Sequence, residues 1–116
     1  MEQNTINFIE FPVANADLMA ESKAFYSEVF GWSFREWGSE YADTKSSGID
    51  AGFNADPANR SGKPLAVIYT VDLEKTRDEV IGGGGKITKD IFSFPGGRRF
   101  HFKDPGGSEL AVWSDK

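Results

Sequence analysis

Three side chains in this sequence combine reactive chemistry with a setting that could use it: Glu10, Glu109 and His101. Glu10 interrupts the apolar run Ile6-Asn7-Phe8-Ile9-Glu10-Phe11, and Glu109 opens the run Glu109-Leu110-Ala111-Val112-Trp113. If Leu110 and Val112 face one side of a strand, Glu109, Ala111 and Trp113 face the other. Two readings of the glutamates stay open. They are rim carboxylates, or partners for Arg35, Arg98 or Arg99; or both point into a cleft, where burial raises a carboxylate pKa and makes it a candidate acid, base or ligand-binding group. His101 is the only histidine. Its alternation with Phe100 and Phe102 puts it on the face opposite those rings, facing either solvent or a cleft, and general-base work would need reach to a substrate proton as well as a suitable pKa.

Other chemistries find less support. The chain has no cysteine, which removes disulfides, zinc-thiolate sites and a Cys nucleophile. Gly82-Gly83-Gly84-Gly85 follows a predicted helix and precedes a strand, the reverse of a phosphate cradle, so it reads as a turn. No nucleophile-elbow motif accompanies His101. Pro95-Gly96-Gly97 reads as a hairpin loop before Arg98-Arg99, and Arg98 there could meet an anionic ligand. Phe8, Trp32, Phe34 and Trp113 are candidate walls for a flat or apolar ligand, in a chain with ten Phe, three Trp and three Tyr. The net charge of -5 and pI near 4.8 argue against nucleic acid and anionic membranes, since no basic stripe exists to release counterions. A polar N-terminus and the lack of a long apolar run lead us to expect a soluble, cytoplasmic protein.

These residues need elements to hold them, and 116 residues suit one domain. Thr5 to Val13 predicts a strand. Asn15 or Asp17 can cap a helix running through Val29 or Phe30, with Leu18, Phe25 and Val29 on its buried stripe, and Gly31 ends it. Strands are predicted at 32–37, 41–44 and 48–53. A stretch rich in Pro, Gly, Asn and Asp follows, read as a linker centred on 58–63. Then the pattern restarts: a strand at 65–71, a helix at 73–81 capped by Asp72 and turned toward the core through Thr76 and Val80, and strands at 86–92, 98–103 and 108–113. In the last turn, Asp104-Pro105-Gly106-Gly107, Asp104 can cap the bend with its own carboxylate. Val13 and Val71, which close the first and fifth strands, stand 58 residues apart, half the chain. The predicted architecture is α+β: two βαβββ modules, 1–57 and 64–116, each too small to bury both sheet faces alone. Paired, they predict a curved, barrel-like sheet around a central cleft.

Four motifs, in order and nearly spanning the chain, carry a family resemblance. Phe25-Tyr26-Ser27-Glu28-Val29-Phe30-Gly31-Trp32 resembles FYxxvFGW, Val71-Asp72-Leu73 resembles VDD, Gly84-Gly85-Lys86 resembles GGK, and Asp104-Pro105-Gly106-Gly107 resembles DPxGN. The chain thus resembles the glyoxalase/bleomycin-resistance/extradiol-dioxygenase superfamily, also called vicinal oxygen chelate. The resemblance implies paired βαβββ modules around a cleft, often completed by a homodimer, and in many members a divalent ion held by His, Gln or Glu on the first and last strands of each module. The matching positions here are Phe8, Ala66 and Ala111, with Asp50 near the fourth. Three of these have no group to offer an ion.

The expected function is therefore a glyoxalase-like protein that binds a small organic ligand, drug binding of the bleomycin-resistance kind included, with no metal or other cofactor. Glu10, Glu109 and His101 are its catalytic candidates, and Phe8, Trp32, Phe34, Trp113 and Arg98 its ligand contacts. One alternative is a metal-dependent lyase, isomerase or dioxygenase using Ni, Zn, Mn or Fe, with Glu10, Glu109, and Asp50 or His101 as a rearranged donor set. Another is an interaction module whose cleft is filled by its own side chains, Phe8 among them.

Overall fold

Alternating side chains give each strand two unlike faces, and in this protein a helix covers one of them. The computed structural model describes residues 1–116. In order, the chain forms β1 (Thr5–Pro12), α1 (Met19–Phe30), β2 (Arg35–Glu36), β3 (Tyr41–Thr44), β4 (Asp50–Asn54), β5 (Leu65–Tyr69), α2 (Leu73–Gly82), β6 (Lys86–Phe94), β7 (Gly97–Lys103) and β8 (Glu109–Ser114). This is an α+β fold with two βαβββ runs. It divides into two compact units, residues 8–65, and residues 1–7 together with 66–116, so the division passes through β1. No helix is long and apolar enough to cross a membrane.

In the 8–65 unit the strand order is β2-β3-β4-β1. β1 and β4 run parallel, with Glu10 opposite Gly52, and β3 and β4 antiparallel, with Tyr41 opposite Asn54. Phe11, Ala42 and Phe53 face the helix and pack with Val13, Met19, Ala55 and Tyr26. Asn15 caps a short 3₁₀ turn over Ala16–Leu18, its side chain accepting the Leu18 N–H, and α1 follows directly.

That turn decides which side of α1 is buried. The predicted stripe of Leu18, Phe25 and Val29 is instead exposed, Phe25 at 53% and Val29 at 57%, while Met19 and Tyr26 face the core. Aromatic residues stand at both 25 and 26, so periodicity admits either phase. Tyr26 prevails because its ring meets Phe53 at 5.3 Å and stacks on Trp32 at 4.9 Å.

Gly31 closes α1 at φ 75°, in the left-handed region that favours glycine. Trp32 is then drawn back over the helix end: its N–H donates to the Tyr26 carbonyl and its own carbonyl accepts from Ser27 Oγ. The predicted strand at 32–37 accordingly shortens to Arg35–Glu36.

In the other unit the order is β5-β8-β7-β6. Leu73, Phe100, Phe102 and Val112 form its helix-side core, joined by Ile68, Val80, Ile87, Ile91 and Leu110. Asp72 caps α2 by accepting the Lys75 N–H. Asp104 closes the last turn as expected, its carboxylate accepting the Ser108 N–H and its carbonyl the Gly107 N–H. The N-terminal residues belong here: the Asn4 N–H donates to the Tyr69 carbonyl, and the Gln3 side chain bonds both Thr70 Oγ1 and the Val71 N–H.

Two ion pairs tie α2 to its strands, Arg77 to Asp90 on β6 and Arg98 on β7 to Glu74. Hydrogen bonds from these arginines hold the Asp90 and Glu74 carboxyls below their ordinary pKa values, and a bond from the Tyr69 hydroxyl does the same for Asp115. A depressed carboxyl binds fewer protons in the folded than in the unfolded chain. Its stabilisation is complete above the ordinary carboxyl value and lost as pH falls through the depressed one. Urea midpoints measured from about pH 7 down to about pH 3 should therefore fall across the acid end. Arg77→Gln, or added salt, should flatten part of that slope, modestly because these groups are exposed. A slope indifferent to both would remove the ion pairs as contributors.

Candidate functional site

The face of the 8–65 unit away from α1 centres on Glu10, 1% exposed. A carboxylate so far from water needs donors in its place. Asn54 Nδ2 donates to Glu10 Oε1 at 3.1 Å and Tyr41 Oη to Oε2 at 3.3 Å. The Asn54 amide is itself oriented, because its Oδ1 accepts the Asp56 N–H at 2.9 Å, which leaves the NH₂ for Glu10. Tyr41 reaches Glu10 by crossing Gly52. A Cβ on Gly52 would stand 2.1 Å from Tyr41 Oη and 2.8 Å from Phe8 Cζ, so only glycine fits beneath these rings. On the neighbouring strand β2, Arg35 clasps Asp43 of β3 through two hydrogen bonds of 3.0 and 3.1 Å.

In the other unit the corresponding face, away from α2, carries His101, Arg99, Glu109 and Trp113. His101 is 3% exposed, which removes the solvent-facing reading. Its Nδ1 is 3.9 Å from Glu109 Oε2, and that oxygen accepts from Thr88 Oγ1 at 2.7 Å. Glu109 is only partly covered, so the two glutamates differ: one is sealed in and one sits at a rim. Trp113 lies 5.2 Å from the Tyr69 ring and donates its indole N–H to Asn7 Oδ1. The Tyr69 hydroxyl donates to Asp115 at 2.7 Å, and that bond, together with desolvation, pushes its pKa up.

Several expected contacts lie elsewhere. Trp32 and Phe34 pack into the helix-side core of the 8–65 unit, Phe34 at 5.3 Å from Phe53, away from the Glu10 face. Arg98 is turned to Glu74 at the start of α2. Its neighbour Arg99 shares the His101 face, a placement that the alternation used for His101 already contained. Tyr41 and Asn54 gave no signal of their own, because their role follows from strand register.

The vacant ion-ligand positions also shift by one. Val67 pairs with Ala111, whereas Ala66 alternates onto the side of Ile68, which packs with Val112 in the helix-side core. Val67 is as empty of donors as Ala66. Asp50 holds Lys45 at 3.0 Å, and no group of three or more His, Asp and Glu side chains is placed to hold an ion. The donor chemistry at these positions does not fit a divalent cation.

Register gives a direct test of the Glu10 cluster. Gly52→Ala should cost ~1–3 kcal/mol in denaturant unfolding, because the Tyr41 and Phe8 rings must move. Asn54→Ala should cost a similar ~1–3 kcal/mol by leaving a buried carboxylate short of a donor. Wild-type stability in both variants would show that the cluster is not closed in this way.

Comparisons with known proteins agree with this architecture. The family model for the Glyoxalase/Bleomycin resistance protein/Dioxygenase superfamily matches residues 5–112. No curated protein matches. Among solved structures, the chain resembles one described as an NAD-dependent benzaldehyde dehydrogenase from Legionella pneumophila, at 16% identity and TM-score 0.75 over 94% of this chain and 98% of that one. It also resembles the Mn(II)-bound glyoxalase from Novosphingobium aromaticivorans, at 22% identity and TM-score 0.67, over 99% of this chain but only 40% of that one. A third is methylmalonyl-CoA epimerase from Mycobacterium tuberculosis, at 13% identity and TM-score 0.62, over 98% and 92% of the two chains. Such identities speak for the fold and leave chemistry to the site. With the family model spanning nearly the whole chain and both βαβββ runs in place, this protein belongs to the glyoxalase/bleomycin resistance protein/dioxygenase superfamily.

Proposed function

We propose that this protein binds a small organic ligand without a divalent ion at the sheet faces turned away from its helices, with Glu10 and Glu109 as candidate polar contacts and Phe8 and Trp113 as candidate apolar contacts. The observation that carries this reading is Glu10: a buried carboxylate on the strand face turned away from α1, held by Tyr41 and an oriented Asn54. Burying a carboxylate is costly, which makes Glu10 a candidate for a functional group. The donor-free side chains of Phe8, Val67 and Ala111 support the metal-free half of the proposal. In this reading the modules are residues 1–57 and 64–116, and His101 beside Glu109 is the remaining candidate for proton transfer.

A second reading has its own observation. Glu10 is almost wholly covered and Phe8 closes over Gly52, as an interaction module with a filled face would have it.

Two measurements separate these readings from a metal enzyme. Protein purified without added metal should carry far less than one equivalent of Ni, Zn, Mn or Fe by elemental analysis. Near-stoichiometric metal, lost on Glu10→Ala and Glu109→Ala, would overturn the proposal. In a thermal-shift screen of metabolites and drug-like compounds, a ligand specific for the native state should raise the midpoint. Glu10→Gln should diminish that rise, and a screen with no rise at all would favour the interaction module.

A further inference from the structure

The stripe of α1 that periodicity assigns to the core lies in water instead. Leu18, Phe25 and Val29 stand at i, i+7 and i+11, one above another on the helix surface, with the half-buried Ser22 between the first two. Phe30, 60% exposed, lengthens the patch at the C-terminal end, its ring 6.4 Å from that of Phe25. Contiguous apolar surface rimmed by polar residues marks a place where a partner docks.

A row of carboxylates runs beside this stripe. Glu21 and Glu28, one residue before Ser22 and Val29, line one flank of it, and Asp17 continues that flank at the N-terminal end. All three are exposed, and none is engaged in an ion pair. The one cation on the helix, Lys23, is committed to Glu36 of β2. Asp17 and Glu21 suit a helix N-terminus, where the partial charge is positive. Glu28 stands in the last turn, where that charge is negative and no basic residue is present, so helix stability does not account for it.

We propose that this face of α1 docks an amphipathic helix of a partner protein, apolar along its centre and carrying Lys or Arg along the flank that meets Glu21 and Glu28. The charge pattern disfavours the other occupants. In heptad terms Leu18 and Phe25 take position d, Ser22 and Val29 position a, and Glu21 and Glu28 position g. Two copies of α1 packed antiparallel would set g against g, carboxylate against carboxylate. Packed parallel, they would need Met19 and Tyr26 at the facing e positions, and the core already holds both. An anionic membrane meets the same repulsion. A basic flank instead gives the unpaired carboxylates partners at the rim of an apolar contact, and the seven-residue spacing of Glu21 and Glu28 fixes its register. This docking is independent of the ligand reading above, because α1 covers the sheet face opposite to the one that carries Glu10.

The test uses three helical peptides of about four turns each. One has a leucine face with lysine flanks, one the same leucine face with glutamate flanks, and one lysine flanks with serine in place of leucine. Each is titrated into the whole chain by fluorescence anisotropy. The leucine-lysine peptide should bind at least about tenfold tighter than either of the others, and its affinity should fall as salt rises. Phe25→Ser with Val29→Ser should weaken it at least about tenfold, and Glu21→Gln with Glu28→Gln should bring the lysine- and glutamate-flanked leucine peptides toward equal affinity. Both pairs of changes fall on exposed positions, and the unfolding midpoint checks that each variant is folded. Equal binding of the three peptides by the wild-type chain, or no binding of any, would overturn the proposal and leave the ligand reading in place. A chain that sediments as a dimer and becomes a monomer on Phe25→Ser would overturn it in favour of a second copy. Binding to phosphatidylglycerol vesicles that is lost in the same variant would overturn it in favour of a membrane.

Discussion

A carboxylate withdrawn from water costs several kcal/mol unless donors replace the solvent, and the 8–65 unit is arranged around meeting that requirement at Glu10. Tyr41 reaches the carboxylate only because Gly52 has no side chain, and Asn54 offers its amide only because the Asp56 N–H occupies the amide oxygen. Parallel pairing of β1 with β4 puts Gly52 directly opposite Glu10, and antiparallel pairing with β3 brings Tyr41 alongside Asn54. The two ladders and the carboxylate therefore constrain one another. A one-residue slip in either would leave the charge among apolar neighbours.

The second half of the chain meets a similar demand with cations, and by other means. Arg99 and Lys89 lie over the Phe92 ring, and β6, which carries that ring, is bulged twice. Regular pleating would suffice for a sheet whose only task was to pack on α2. The departures fall on the strand paired with His101 and Arg99, while Ile87 and Ile91 keep the core intact.

Membership in a superfamily of glyoxalases, resistance proteins and dioxygenases sets the frame for both clusters without choosing among chemistries. The choice rests on which side chains occupy the sheet faces turned away from the helices. The side chains of Phe8, Val67 and Ala111 carry no lone pairs, Glu10 accepts from Asn54, and Glu109 accepts from Thr88.

Much of this was legible in the residues. Helix caps at Asn15 and Asp72, the stop at Gly31, the Asp104 turn and the repeated strand-helix-strand order follow from local backbone chemistry, which needs only neighbours in the chain. Alternation alone separated His101 from Phe100 and Phe102, and would have chosen Arg99 over Arg98. Other features needed three dimensions. Residues 25 and 26 are both aromatic, so the buried side of α1 depended on which ring could reach Phe53; Trp32 left its predicted strand to stack on Tyr26; and the bulges in β6 broke the alternation from which its faces would be read. Sequence decided where elements begin, end and turn, because those are contests between adjacent groups. Tertiary structure decided which face each presents and what holds Glu10, because those depend on register and contact between segments distant along the chain.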